Sequence, residues 1–537
     1  MTANPRSDAR PTLLIAGGGI AGMTAAHELH RHFAITLIER NRRLGGKCRS
    51  WLDPEAQVPV EHGWRFFNAT YHNLFDTLRR IPFGAGRSVF DNLRRKRQRP
   101  GIYVPALLKR HAPFRARDLW EAGRDAIRLL RILGWSDERI RRFHATDLFE
   151  THLARPGRKN LVHGLIRDFL GIIWSTDKSG FDVQVTRNML DNFVVNRLRL
   201  FNLNGPTSDT FIEPWRRHLE DRGVEILAGA RLSALRGDGG ARVGSAAWVD
   251  DASSDVHERS FDYYLSAIPN DALLTVLGSD LLDAAGELRS IDRFERAWQN
   301  GVMVYTRSRQ DLRMNSFHEH PWKITVVSQA EHWGVDHDFS RYGTGDSVGT
   351  IADVLSYVVT DWNAVGPATG KIARDCSPDE IYEELCFASE ADPAVVANFD
   401  RRDHVAFPSP AGARRCVVDE SLRYGTKGSR IVANEDTVVT CPPGTFHAMP
   451  RAETPIRNLF LASTYCFNAF GCCATMEGAN ETGRRAAGAL LRAVGSDERV
   501  PVFDGKRAGL VMRLLLARRR RDARRLGAAN AGGSIPA

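Results

Sequence analysis

The pattern of apolar and polar positions changes character several times along the chain. Residues 12–16 (TLLIA) form a short apolar run that ends in glycines, as a buried parallel strand does. Residues 20–32 continue with helical spacing, and 34–38 (AITLI) form a second apolar strand ending at Glu39. Strand, turn, helix and strand in that order make the smallest dinucleotide-binding unit. From about Asp91 to Leu200, Leu, Ile, Arg and Trp recur at helical spacing, as in residues 118–135, which predicts a mainly helical insertion. Residues 211–232 read as a helix stopped at Gly223 and then a strand, and 261–268 as a strand running into Pro269. Strand-like runs at 302–306 and 324–328 suggest a separate sheet. Residues 458–462 give a final apolar strand and 474–493 a final helix, while the last dozen residues look disordered.

This alternation predicts an α/β fold: a Rossmann-like domain, a mixed-sheet substrate domain and a helical insertion. The boundaries that follow are 10–90, 201–275 and 441–497 for the three parts of the nucleotide-binding domain. The insertion takes 91–200, the substrate domain 276–440 and a basic tail 498–537.

Composition narrows the class. With 43% hydrophobic and 26% charged residues in 537, the chain can bury a substantial core. No stretch of eighteen apolar residues occurs, so a cytoplasmic protein is expected. The eight cysteines show no C-x-x-C spacing, which argues against a metal site and reads as reduced, buried thiols. The net charge of +10 is concentrated in the tail, where Lys506 to Arg525 holds nine basic residues and one acidic residue. Arginine runs without a recognition motif do not make a nucleic-acid-binding protein. Two basic stretches with apolar cores, 94–117 and 506–525, suit peripheral contact with an anionic membrane surface. In the second, Val511, Leu514 and Leu515 would share a helical face.

The chemistry begins at Gly17-Gly18-Gly19-Ile20-Ala21-Gly22, which satisfies G-x-G-x-x-G between a strand and a helix. Glycine there permits the tight turn and close backbone approach to a pyrophosphate, which the helix N-terminus then attracts. Glu39, at the end of the second strand, can accept both hydroxyls of an adenosine ribose and disfavours a 2′-phosphate.

The residues after it, Arg40-Asn41-Arg42-Arg43-Leu44-Gly45-Gly46-Lys47, resemble the extended fingerprint of the FAD-dependent amine oxidase and phytoene desaturase superfamily. So do Glu61-His62-Gly63-Trp64-Arg65, Asn204 to Thr207, Arg231-Leu232, Ser266 to Pro269, and Asn458 to Thr464 followed by Thr475-Met476-Glu477-Gly478-Ala479. The matches lie in the family's order, and the chain looks most like bacterial phytoene-dehydrogenase-like proteins of the carotenoid and hydroxysqualene type. That resemblance implies a glutathione-reductase-type fold and bound FAD. Gly45 and Gly46 would pack near the flavin's linker, Lys47 would face phosphate, and Gly63, Trp64 and Arg65 would run beside the isoalloxazine ring. Leu232 would complete the nucleotide site, and the helix opening at Thr475 and Met476 would lie under the flavin pyrimidine. Ser463-Thr464 stands where the family has Gly-Asp, which removes a carboxylate from the ribityl–phosphate region. His62 reads first as a structural histidine, with a base as the alternative.

The activity implied by the resemblance is hydride transfer between flavin N5 and a carbon of a large hydrophobic polyene or isoprenoid, of desaturase type. One alternative is a reductive cyclase of a polyene natural product, such as a polycyclic tetramate macrolactam precursor, drawing on transient NAD(P)H. Another is a non-catalytic lipid or polyene carrier on the same fold. No catalytic residue is singled out.

Overall fold

The structure, a computed structural model, describes residues 10–95, 115–143, 148, 151–154, 160–164, 166, 182–195, 200–310, 312, 314–317, 319–334, 337–393, 395–409, 412–425, 430–471, 474–503 and 509–531. The basic–apolar stretch from residue 96 to 114, the Cys472-Cys473 pair and residues 504–508 lie outside these.

The first apolar run becomes the strand Thr12–Ala16, at the centre of a five-stranded sheet. The order across it is Leu459–Leu461, Tyr263–Ser266, Thr12–Ala16, Ala34–Glu39 and Glu225–Ala228, with every pairing parallel. Parallel strands are covered on both faces, which explains why their sequences are continuous apolar runs and not alternating ones. The helices Ile20–Leu29 and Met476–Ala493 pack together beside the sheet. A Cβ at Gly483 would lie 2.5 Å from the Ala21 carbonyl oxygen, so glycine sets how closely the two helices approach.

A second five-stranded sheet runs Met314–Phe317, Ile324–Ser328, Asp353–Val359, Asn300–Thr306, Val417–Val418. All its pairings are antiparallel, a sharper arrangement than the mixed sheet expected, because the apolar pattern of a buried strand carries no information on direction. One face packs Val302, Val304, Val326 and Tyr357 under the helix Pro378–Ala391. The other face meets the first unit: Met303 and Tyr305 join Trp51 and Val60, and Met314, Val327 and Val358 join Trp64.

The insertion supplies the amphipathic helix Ala116–Leu133 and the buried helix Val183–Met189, which continues as a π-helical turn, Leu190–Val195. The chain end departs from the sequence expectation. The helix Leu510–Ala531 includes half of the residues expected to be disordered. Arg519 explains why: buried, it donates to both Asp191 carboxylate oxygens at 2.8 Å and to the Leu133 carbonyl at 2.7 Å. Asp522 accepts from the Ser136 N–H at 2.9 Å. Part of the basic run is therefore a docked surface, and a buried ion pair is what distinguishes docking from solvation. The expected apolar face is split as well. Leu515 is buried with Met512, while Val511 and Leu514 are exposed.

Candidate cofactor and substrate site

The sheet delivers its first strand into the glycine turn. Gly17 has φ +107, and a Cβ there would lie 2.8 Å from the Ala267 carbonyl oxygen. At Gly22 the constraint is steric alone, since an added Cβ would lie 1.9 Å from the Gly17 carbonyl oxygen. The Gly18 N–H donates to Glu39 Oε2 at 2.7 Å, and the Gly45 N–H donates to the Gly18 carbonyl at 2.8 Å. Gly46 then meets Gly19 backbone to backbone: a Cβ on Gly46 would come within 3.2 Å of the Gly19 Cα. The two glycine motifs, distant in the reading of the sequence, are one cradle.

This cradle opens into a cavity of about 800 Å³, large even among small-molecule sites. Of the residues expected to bind the cofactor, Gly17, Gly19, Ile20, Ala21, Glu39, Arg40, Gly45, Gly46, Lys47, Gly63, Trp64, Arg65, Leu232, Ser463, Thr464, Thr475 and Met476 all line it. Gly18 and Gly22 do not; they shape the turn from behind. Two helices begin at the wall. Ile20–Leu29 has no side-chain cap, which leaves its first N–H groups without that partner, and Met476–Ala493 is capped by Thr475, whose hydroxyl accepts the Gly478 N–H. Both N-terminal dipole ends favour negative charge at the cavity.

The acid at the end of the second strand is already engaged. Besides Gly18, Glu39 accepts from the Asn41 N–H at 2.9 Å and the Asn41 side chain at 3.0 Å, so it ties the two glycine loops together. Arg40 reaches away from the turn, donating to Asp436 at 2.7 Å and to the Glu435 carbonyl. Burial lowers the Lys47 pKa and raises that of the neighbouring Cys48 thiol. Glu61, beneath the wall, accepts from the Thr207 N–H at 2.9 Å, and burial pushes its pKa up to about 7 despite Arg65 and Thr207.

Three features of the wall rest on partners or segments that carry no sequence signature. His62 lines the cavity, and its Nδ1 pairs with Asp419 Oδ2. Asp436 forms ion pairs with both Arg40 and the buried Arg49. Burial alone would raise Asp436, but the charges of Arg49, His62, Arg40 and Lys47 hold it well below the usual carboxylate range. Residues 434–439, of which Asp436 is part, line the cavity as one continuous segment. Asp419 and Asp436 sit in no motif and lie hundreds of positions from their partners, so only the tertiary fold could show them.

The glycine cradle, the helix N-termini and the acid after the second strand fit a dinucleotide. Together with the sheet topology they define a Rossmann-like dinucleotide-binding fold. Residues 15–81 match the family model of an NAD(P)-binding Rossmann-like domain. The chain is 23% identical over 531 residues to a probable zeta-carotene desaturase of Synechococcus elongatus, covering 89% of this chain and 98% of that protein. It is also similar to two carotenoid phi-ring synthases. The Chlorobaculum tepidum protein is 46% identical over 64 residues, 11% of this chain and 10% of the relative. The Streptomyces griseus protein is 30% identical over 126 residues, 20% of this chain and 24% of the relative. The chain thus matches a quarter or less of the length of either synthase. A solved structure, the putative protoporphyrinogen oxidase of Exiguobacterium sp. 255-15, shares the fold at TM-score 0.54 and 15% identity, over 91% of this chain and 100% of that one. An oxidoreductase from Methanosarcina mazei does so at TM-score 0.53 and 11% identity, over 90% and 100%. Among the described residues, no helix is long and apolar enough to cross a membrane, and no cluster of His, Cys, Asp and Glu could hold a metal ion.

Proposed function

We propose that the protein is an FAD-dependent oxidoreductase that moves a hydride between the flavin and a carbon of a large hydrophobic polyene or isoprenoid, as a desaturase or dehydrogenase does. The observation that carries this reading is that one cavity joins the glycine cradle to an apolar wall. Trp64 and Phe66, stacked at 5.2 Å, and Val358 of the antiparallel sheet line the same space as Gly17, Gly46 and Met476. Bound there, FAD would supply a two-electron acceptor or donor. The protein's own part is to bind, orient and keep water out. The glycine turn and the Ile20 helix would hold the pyrophosphate. Glu39 would reach the ribose, and the Thr475–Met476 helix end would favour negative charge on the ring. Trp64, Phe66 and Val358 give a hydrocarbon a dry surface. The carotenoid enzymes among the relatives support a polyene substrate.

A reductive reading, in which NAD(P)H supplies the hydride and the product is cyclised, draws on Ser463-Thr464, both on the cavity wall where the family has Gly-Asp. One experiment separates the two. Purified protein reconstituted with FAD is mixed anaerobically with NADPH, or with a carotene in micelles, and the flavin absorbance is followed. Bleaching by the carotene alone supports the oxidative reading, and bleaching by NADPH alone the reductive one. Failure to retain flavin at all would reject both in favour of a non-catalytic polyene carrier.

A further inference from the structure

The strand Ile324–Ser328 decides what the apolar part of the cavity can recognise. Its alternate residues Ile324 and Val326 point into the core beneath Ile381 and Leu385. Thr325 and Val327 therefore point to the other face, where Val327 packs with Trp64 and Val358. Thr325 is the register partner of Val358, and both line the cavity. The place is close to the segment expected to run beside the reacting ring, because a Cβ at Gly63 would lie only 3.2 Å from Val358 Cγ2.

Thr325 places a hydroxyl on the apolar side of this wall, beside Val358. It is 1% exposed, and among the described residues its hydroxyl has no hydrogen-bond partner. Among those residues the Ser463, Thr464 and Thr437 hydroxyls also lack a protein partner, but they lie on the segments that follow the first sheet or flank Asp436, and the other polar neighbours are engaged. Gln299 is engaged elsewhere, Asn434 donates to Asn300, and Thr475 caps its helix. The Thr325 hydroxyl is not among the fully enclosed polar atoms that lack a partner, so it opens on the cavity. The cost of an unmet hydroxyl arises only when an apolar ligand seals it from water; valine has the same shape without that cost. A pure hydrocarbon occupying the site would leave the group unsatisfied. A ligand oxygen would satisfy it, since a hydroxyl can donate to a carbonyl or exchange hydrogen bonds with an alcohol.

We propose that Thr325 is a specificity-determining residue, and that it selects an isoprenoid bearing an oxygen function, a hydroxyl or carbonyl, over the corresponding hydrocarbon. This inference rests on the proposed function, since it assumes that the Trp64–Val358 side of the cavity receives an isoprenoid.

The test uses the full chain loaded with FAD and three short probes of one skeleton, farnesene, farnesol and farnesal, whose chains can slide to bring the oxygen to Thr325. Binding is read from perturbation of the flavin absorption spectrum. The wild type is expected to hold farnesol or farnesal roughly five- to tenfold more tightly than farnesene, the contribution of one neutral hydrogen bond. Thr325→Val should abolish that preference while leaving farnesene binding unchanged, and Thr325→Ser, which keeps the hydroxyl, should restore it. Equal binding of all three probes by the wild type, or an unaltered preference in Thr325→Val, overturns the inference and leaves the proposed function standing. Binding of none of the three overturns both.

Discussion

His62 Nδ1 lies 2.5 Å from Asp419 Oδ2, although 357 positions separate the two residues. The carboxylate is held from every side. It also accepts from Asn300 Nδ2 at 3.0 Å and from the Ser421 N–H at 2.9 Å, and Asn300 is fixed in turn by Asn434 on the cavity wall. Burial works to raise Asp419, but the charge and bond from His62, with those hydrogen bonds, keep its carboxyl below the usual range. The pair stitches the segment before Gly63 to the antiparallel sheet and fixes one ring orientation at the cavity. Asp419→Asn should therefore destabilise the protein by about 3–5 kcal/mol, the cost of breaking a buried pair from one side. Urea unfolding of Asp419→Asn, His62→Asn and the double variant checks this. The double variant should cost less than the sum, and strict additivity would dissolve the pair.

The glycine cradle gives a contrast between two substitutions of the same kind. Gly22→Ala forces a Cβ to within 1.9 Å of the Gly17 oxygen, whereas Gly123 in an exposed helix has nothing within 4 Å. Gly22→Ala should weaken FAD retention on the order of a hundredfold, corresponding to about 3 kcal/mol of overpacking. Gly123→Ala should leave it unchanged. The absorbance ratio of flavin to protein after dialysis measures both.

Glu477 sets a pH dependence. It accepts from the Asn73 and Leu74 N–H groups at the start of the helix His72–Arg79, yet burial pushes its pKa up to about 7, from 4.5 in the unfolded chain. The folded state thus holds the proton more tightly. The stabilisation is complete below pH 4.5 and is lost as pH rises through 7, a change of about 3 kcal/mol. The melting temperature should accordingly fall between pH 5 and pH 8. In Glu477→Gln the slope should flatten, and an identical slope would assign the effect to another group.

The C-terminal helix should undock when its buried cation is removed. Arg519→Met leaves Asp191 buried and unpaired, at a cost of about 3–5 kcal/mol. Limited proteolysis should then cleave within residues 510–531 at least tenfold faster than in the wild type.

Membrane contact is testable on the helix Ala116–Leu133. It exposes Leu119, Trp120 and Ile127 beside Arg117 and Arg124, and the tail adds exposed Val511 and Leu514. Trp120→Glu should lower binding to phosphatidylserine vesicles in a sedimentation assay by about tenfold, the contribution of one large apolar side chain entering the interface. Binding that is absent in the wild type, or untouched by the substitution, would remove the surface role.

What the sequence determined alone was the local machinery. The run Thr12–Ala16, the glycines after it and Glu39 specify strand, turn and strand end within thirty residues, because period, glycine geometry and helix N-termini are local physics. The same holds for Gly45-Gly46 and for the helix opening at Met476, which the fold gathers into one cavity. Tertiary structure decided what depends on pairs far apart in the chain. No pattern announces that Asp419 reaches His62, that Asp436 closes with Arg40 and Arg49, or that Thr325 lies across from Trp64, since a buried polar residue looks like any other until its partner is known. The basic tail makes the point in reverse. Its charge suggested contact with an anionic surface, and a single acid at position 191 turned part of it inward.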